Sequence, residues 1–198
     1  MGTRHLTAVK ADGEYKIAQY GQWDGYPAGQ GTTALRFLRS KTNRDKLRKA
    51  LKYCKFVTDE QIAKYAKNMS LGEWMTLEEA DRWNKAYPFF SRDHGAAVLG
   101  MIAKTAKAKN PVELKNALDF AADSLFCEWA YVIDFDKGTF EVYRGFNTNA
   151  LPKTERFYGM KSEESGGKYY PVRLVKSFKL GRLPQEEYFL KTVQPKEE

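Results

Sequence analysis

The chain has 198 residues, enough for one domain with a sizeable core, and its 42% hydrophobic and 14% aromatic content excludes a natively disordered polypeptide. Lys and Arg number 33 against 25 Asp and Glu, a formal net charge of +8 that favours anionic partners over cationic ones. No run of about 18 apolar residues is present, which excludes a transmembrane helix. The N-terminus lacks the apolar stretch of a secretory signal, and Leu6 stands where myristoylation needs Ser or Thr. These features together point to the cytoplasm. Cys54 and Cys127 form no disulfide framework and have no metal-ligand spacing around them, so both are expected as free thiols.

In chain order, the first element is a β-hairpin over 5–19. Leu6, Ala8, Tyr15 and Ile17 alternate with their neighbours around Asp12-Gly13, a dipeptide suited to a tight turn because Gly accepts positive φ. Residues 20–31 then carry four glycines and a proline, which excludes a regular element. Thr32 and Thr33 are expected to cap a helix bearing Ala34, Leu35, Phe37 and Leu38. Leu47, Ala50, Leu51 and Cys54 share one helical face. Thr58 with Gln61 and Thr76 with Glu79 are capping-box pairs that start helices at 59–68 and 77–86, the second ended by Pro88. Residues 95–106 suit a buried helix. Asn110, Pro111 and Glu113 predict a further helix over 111–125, striped by Leu114, Leu118, Ala121 and Leu125. The period then changes to two. Trp129, Tyr131, Ile133 and Phe135 run to a turn at Asp136-Lys137-Gly138, and Phe140 and Val142 return. A polar loop at 162–168 precedes a β region at 169–178, and 194–198 is a tail expected to fray. Strands at both ends of a helical middle predict a single α+β domain over 1–193, its sheet mostly antiparallel and covered by the helices 94–106 and 111–125.

The 20–31 segment is the strongest functional signal. Tyr20, Trp23 and Tyr26 offer ring faces for stacking, and Gln22 and Asp24 offer directed hydrogen bonds. Gly29 and Gly31 would let backbone amides approach a ligand at a helix N-terminus. A compact loop whose aromatics plug the core edge accounts for the same residues without a ligand. The second signal is charge: nine cations against one acid over 36–55, with Arg36 at its start and Arg44, Arg48, Lys52 and Lys55 forming a helical stripe able to track phosphates. A solvated helix face is the plainer account of such a run. Asp93-His94 is either an acid–base pair or a helix start, and Asp134 with Asp136 either a metal pair or turn residues. The sequence carries no zinc spacing, P-loop, dinucleotide fingerprint or Ser-His-Asp order, so no metal or cofactor is expected.

Met1-Gly2-Thr3-Arg4-x-Leu6 followed by Tyr20-x-x-Trp23-Asp24-x-Tyr26-Pro27-x-Gly29-x-Gly31 resembles an uncharacterised family of small proteins from phages, prophages, bacteria and fungi. The stretch 128–136 with Tyr143 resembles that family's later hairpin. The resemblance implies a phage or mobile-element origin, and through it a role in countering host defence. A fainter resemblance is to N-terminal nucleophile hydrolases, whose amidotransferase members carry an aromatic, Gly and Asp segment after the first hairpin. Gly2 departs from that pattern, since it has no nucleophile, and Thr3 would serve only after removal of Met1 and Gly2.

The leading expectation is a non-catalytic cytoplasmic binding protein with no cofactor. It would hold an anionic small molecule such as a nucleotide, or an acidic protein surface, between the 20–31 loop and the basic helix, away from membranes. An N-terminal-nucleophile-like hydrolase or amidotransferase and a nucleic-acid binder using the 36–55 stripe stay open as alternatives.

Overall fold

The computed structural model describes residues 2–72, 74–162 and 167–194. Parts of the expected 162–168 loop and 194–198 tail, and Met1 of the N-terminal motif, therefore lie outside the described residues. The fold is α+β. Strand β1 (His5–Ala11) turns through Asp12 and Gly13, both at positive φ, into β2 (Glu14–Gly21). Strands β5 (Trp129–Asp134) and β6 (Thr139–Arg144) form the second hairpin around Gly138, also at positive φ. With β7 (Arg173–Lys179) they make one sheet in the order β2-β1-β5-β6-β7. Both hairpins thus lie in one sheet, as the alternation predicts. The central β1–β5 pair is parallel and the other three pairs are antiparallel.

The sheet is covered on both faces, so each strand sorts its side chains by parity. Val9, Ile17, Tyr131, Ile133 and Val142 face a helical layer. That layer comprises α1 (Thr32–Arg39), α2 (Lys41–Ala50), α5 (Val98–Thr105) and the C-terminal α6 (Glu186–Val193). Leu35, Leu47, Ile102 and Phe189 are among its fully buried contributions. Leu6, Ala8, Ala130, Val132 and Tyr143 face the other way, onto Ala121, Leu151, Phe157 and Val172. This second layer is built of turns and irregular chain, and no regular helix covers it among the described residues.

The middle departs from expectation at two linked places. The 111–125 helix does not form. Val112–Lys115 is instead strand β4, and Leu118–Ala122 is a single tight turn whose start Asn116 supports by accepting from the Leu118 amide at 3.1 Å. Along β4 burial alternates, with Val112 and Leu114 inside, so the apolar spacing taken as a helical stripe begins as a period of two. Its partner is β3 (Cys54–Val57), in parallel register Cys54↔Val112. Cys54 therefore opens a strand rather than closing a helical face. By contrast α3 (Asp59–Asn68) and α4 (Leu77–Ala86) start where their capping boxes place them. Thr58 and Thr76 accept from the amides of Gln61 and Glu79, whose side chains accept back from the cap amides at 2.9 and 2.8 Å.

At the turn end of the sheet a polar clasp ties the second layer down. The Arg156 guanidinium donates to Asp134 Oδ2 at 2.6 Å and to Glu141 Oε2 at 2.7 Å, and Tyr143 Oη donates to Glu141 at 2.6 Å. All three charged side chains are buried. Burial alone would raise both carboxyl pKa values, but the bonds from Arg156 prevail and hold them below the usual range. Their stabilisation is present above the unfolded-state carboxyl pKa and is lost as pH falls through the lowered folded values. Removing the cation strands two buried carboxylates, a defect worth roughly 3–5 kcal/mol. Arg156→Met is therefore expected to lose about that much in urea unfolding at pH 7, with the gap to the unaltered protein narrowing below pH 4. Equal unfolding midpoints at pH 7 would show that the clasp contributes nothing net.

Candidate functional site

The 20–31 loop closes the end of the sheet at which β1 and β5 begin. Registers place Gly21, His5, Trp129 and Arg144 in one row across four strands. The loop lies flat on that row, and this explains its glycines. A Cβ on Gly21 would sit 2.1 Å from His5 Cε1, one on Gly25 2.7 Å from the Thr3 carbonyl, and one on Gly31 2.9 Å from the Tyr131 ring. Tyr131 Oη donates to the Gly25 carbonyl at 2.7 Å, and the Gly25 amide donates to Thr3 at 2.9 Å. Close backbone approach is therefore made to the core beneath.

Residues Pro27–Gly31 form one π-helical turn that runs straight into α1. The Gly29 and Gly31 amides donate to the Tyr26 carbonyl and the Gln30 amide to Asp24, so the expected anion cradle of free amides is already spent inside the loop. Thr32 and Thr33 do not cap α1. Their hydroxyls donate back to the Ala28 and Gly29 carbonyls, because the chain upstream is itself helical. Trp23, 48% exposed, lies over Gly2 and donates Nε1–H to Asp93 Oδ1 at 3.0 Å. Asp93 is thus bonded to Trp23, and His94 Nε2 lies 2.8 Å from the Pro88 carbonyl, so the two do not form an acid–base dyad. Thr3 is 4% exposed. Asp136 accepts from the Asp12 and Gly13 amides and thereby links the two hairpin turns. No group of three or more His, Cys, Asp or Glu is placed to hold a metal among the described residues.

Two clefts flank the loop. On the Tyr26 side a cleft of about 810 Å³ is lined by Asp24, Tyr26, Glu128, Trp129, Arg144 and Phe146. Asp24 and Phe146, on its two rims, both adopt left-handed φ (54° and 53°), a strained state for side-chain-bearing residues. Two carboxylates against one guanidinium make this lining unfavourable for an anion. On the Tyr20 side lies a larger cleft, about 910 Å³, with three cations and two carboxylates in its lining. Tyr20 packs edge-on to Phe120 with centroids 5.0 Å apart, Phe90 faces in, and Arg92, Lys115 and Lys161 stand against Asp119 and Asp123. Tyr20 Oη donates to Gln22 Oε1, which fixes the ring at the cleft wall.

The basic helix is elsewhere. Arg36 pairs with Glu186, Arg44 donates to the Leu38 carbonyl, Arg48 lies over Phe135 at 5.9 Å and Lys52 over Tyr53 at 4.9 Å. Phe135 follows the far end of β5 from the loop. The structure therefore divides the expected site: Tyr20 lines one cleft, Asp24, Tyr26 and Gly29 line the other, Gln22 and Trp23 bond to Tyr20 and Asp93, Gly31 packs on Tyr131, and Arg44, Arg48 and Lys52 join neither cleft. The cleft cations come from Arg92, Lys115 and Lys161, which the sequence did not single out. No family model matches this chain, and neither a curated protein nor a solved structure matches it.

Beneath the loop, His5 is fully buried and neither ring nitrogen makes a well-formed hydrogen bond to the described residues. Burial lowers its pKa from 6.5 to about 4, against a raising contribution from the Thr3 backbone. Between pH 6.5 and 4 the unfolded chain binds the extra proton, so stability falls with acidification by on the order of 3 kcal/mol from this group. His5→Phe is expected to flatten the melting-temperature slope across that window; an unaltered slope would place the acid sensitivity elsewhere. Gly21→Ala is expected to cost about 1–3 kcal/mol by overpacking. Its cost in a His5→Ala background should be at least 1 kcal/mol smaller, and full additivity would contradict the contact.

Proposed function

We propose that this protein is a non-catalytic, cytoplasmic binding protein that holds an anionic, ring-bearing small molecule of nucleotide size in the Tyr20 cleft. The observation that carries this reading is the pairing of an aromatic wall, Tyr20 against Phe120, with a cationic rim of Arg92, Lys115 and Lys161 in one cleft. A planar ring gains stacking energy on such a wall, and phosphate oxygens gain charge-assisted bonds from such a rim. Lys115 also pairs with Asp59 at 2.9 Å, which makes Arg92 and Lys161 the more available contacts. A phage or mobile-element origin and a part in counter-defence rest on the sequence resemblance. The buried Thr3, whose backbone carbonyl is held by the loop, weighs against the N-terminal nucleophile reading.

Calorimetric titration with ATP and with inorganic triphosphate tests the proposal. A hydrogen bond to a charged group is worth roughly 1.5–3 kcal/mol, so Arg92→Glu and Lys161→Glu should each weaken ATP binding about tenfold or more. Affinity should fall steeply with salt, and Phe120→Ala should weaken ATP while sparing triphosphate. Reversing Arg44 and Arg48 of α2, and Lys52 in the turn that follows it, to Glu supplies the comparison. A larger loss there than in the cleft variants would return the site to the basic helix. Binding of neither probe would refute the reading.

A further inference from the structure

The row that runs through Gly21, His5, Trp129 and Arg144 ends on a second arginine. Arg173, at the start of the edge strand β7, lies directly opposite Arg144. Directly opposed residues of an antiparallel pair project from one face with Cβ atoms roughly 4.5–5.5 Å apart, and like charges placed there oppose folding. Both side chains are exposed, and neither guanidinium forms an ion pair among the described residues. Arg144 leans only on the Trp129 ring, 6.0 Å from its centroid. Lys176, opposite Val142, adds a third exposed cation to the same face.

The two arginines line one cleft of about 380 Å³, bounded by the 144–149 turn and by Leu174 and Val175. Its lining holds no carboxylate, whereas the adjacent Tyr26 cleft, which shares Arg144 and Phe146, adds Asp24 and Glu128. Glu155 is bonded to the Leu174 amide at 3.0 Å and pairs with neither arginine. The turn is held by buried Asn147, which donates to the Pro171 carbonyl at 2.9 Å and accepts from the Asn149 amide at 3.1 Å. The exposed Thr148 amide and hydroxyl and the Asn149 side-chain amide remain as donors with no acceptor among the described residues. We infer that this cleft is a phosphate site, with one phosphate group held between the Arg144 and Arg173 guanidinium groups. Two planar forks on one face suit the oxygens of a phosphate dianion, and its charge offsets the repulsion that the pair otherwise carries. The group is inorganic phosphate or the phosphate of a small monoester, whose organic part would meet the half-exposed Phe146 in the same lining. The site is separate from the Tyr20 cleft and does not rest on the reading of that cleft.

Calorimetric titration with inorganic phosphate and with phenyl phosphate, at an ionic strength held constant with chloride, tests the site. Phosphate binding should weaken about tenfold or more in Arg144→Gln and in Arg173→Gln. It should stay within about twofold in a double variant of the Tyr20 cleft, Arg92→Glu with Lys161→Glu. Tighter binding of phenyl phosphate that Phe146→Ala removes would support the site and assign it to a monoester. Inorganic phosphate binding at least as tightly would support it and assign the free anion. Without phosphate, Arg173→Gln should melt no lower than the unaltered protein, because a repulsion is relieved. Added phosphate should raise the melting temperature of the unaltered protein but not that of the variant. Saturable binding of neither probe would overturn the inference, as would binding lost in the Tyr20-cleft double variant and kept in both arginine variants.

Discussion

Parallel pairing of β1 with β5 is the constraint on which the rest of the molecule depends. Two hairpins separated by more than a hundred residues of mostly helical chain meet edge to edge in the register His5↔Trp129. A parallel pair needs a crossover, and the helical middle supplies it while covering one face of the sheet. The register also sorts the two ends. At one end both hairpin turns converge, and Asp136 ties them together by accepting from the Asp12 and Gly13 amides. At the other end β1 and β5 begin and β2 and β6 finish, so the 20–31 loop and the 144–146 turn border the same region. The loop has to lie on His5 and Tyr131 because those side chains occupy the row beneath it, and only glycine permits that approach at 21, 25 and 31.

The two ends handle buried polarity in opposite ways. Around Arg156 the two carboxylates, the Tyr143 hydroxyl and the Thr139 hydroxyl are joined in one set of short bonds. Such a network fixes geometry and favours one arrangement of chain over others. Beneath the loop the His5 ring, the Thr7 hydroxyl and the Gln19 carbonyl oxygen lie on one face of the β1–β2 pair without bonded partners among the described residues. They occupy two rows of the ladder, His5 opposite Gly21 and Thr7 opposite Gln19, on the face that packs against the helical layer.

The parts legible in the sequence were those written locally. Capping boxes at Thr58 and Thr76, the Asp12-Gly13 turn and the alternation from Trp129 to Phe135 each encode their structure within a few residues, and each appears as expected. Strands β3 and β4 were not legible, since each has four residues and exists only through its distant partner. The stripe Leu114, Leu118, Ala121 and Leu125 mimicked a helix because a short strand followed by a tight turn repeats apolar residues at similar intervals. The cleft escaped for the same reason. Arg92, Lys115 and Lys161 come from three separated segments, and nothing near any of them announces a site. The glycines of the 20–31 loop stand out in the sequence, and their cause is the packing beneath them.

The separation of the basic helix from the cleft bears on how the net charge of +8 acts. Strand β5 has six residues and spans about 20 Å, so a cation at its far end, as Arg48 is, lies more than two Debye lengths from the row under the loop at physiological salt, where that length is about 8 Å. At that distance the charge of Arg48 is screened from the row. What α2 contributes locally is packing: Leu47 and Ala50 are buried in the same core cluster as Leu99 and Ile102 of α5, and its cations occupy the remaining surface of that helix. In the Tyr20 cleft an aromatic pair and cations from three segments are brought together, each by a different part of the chain.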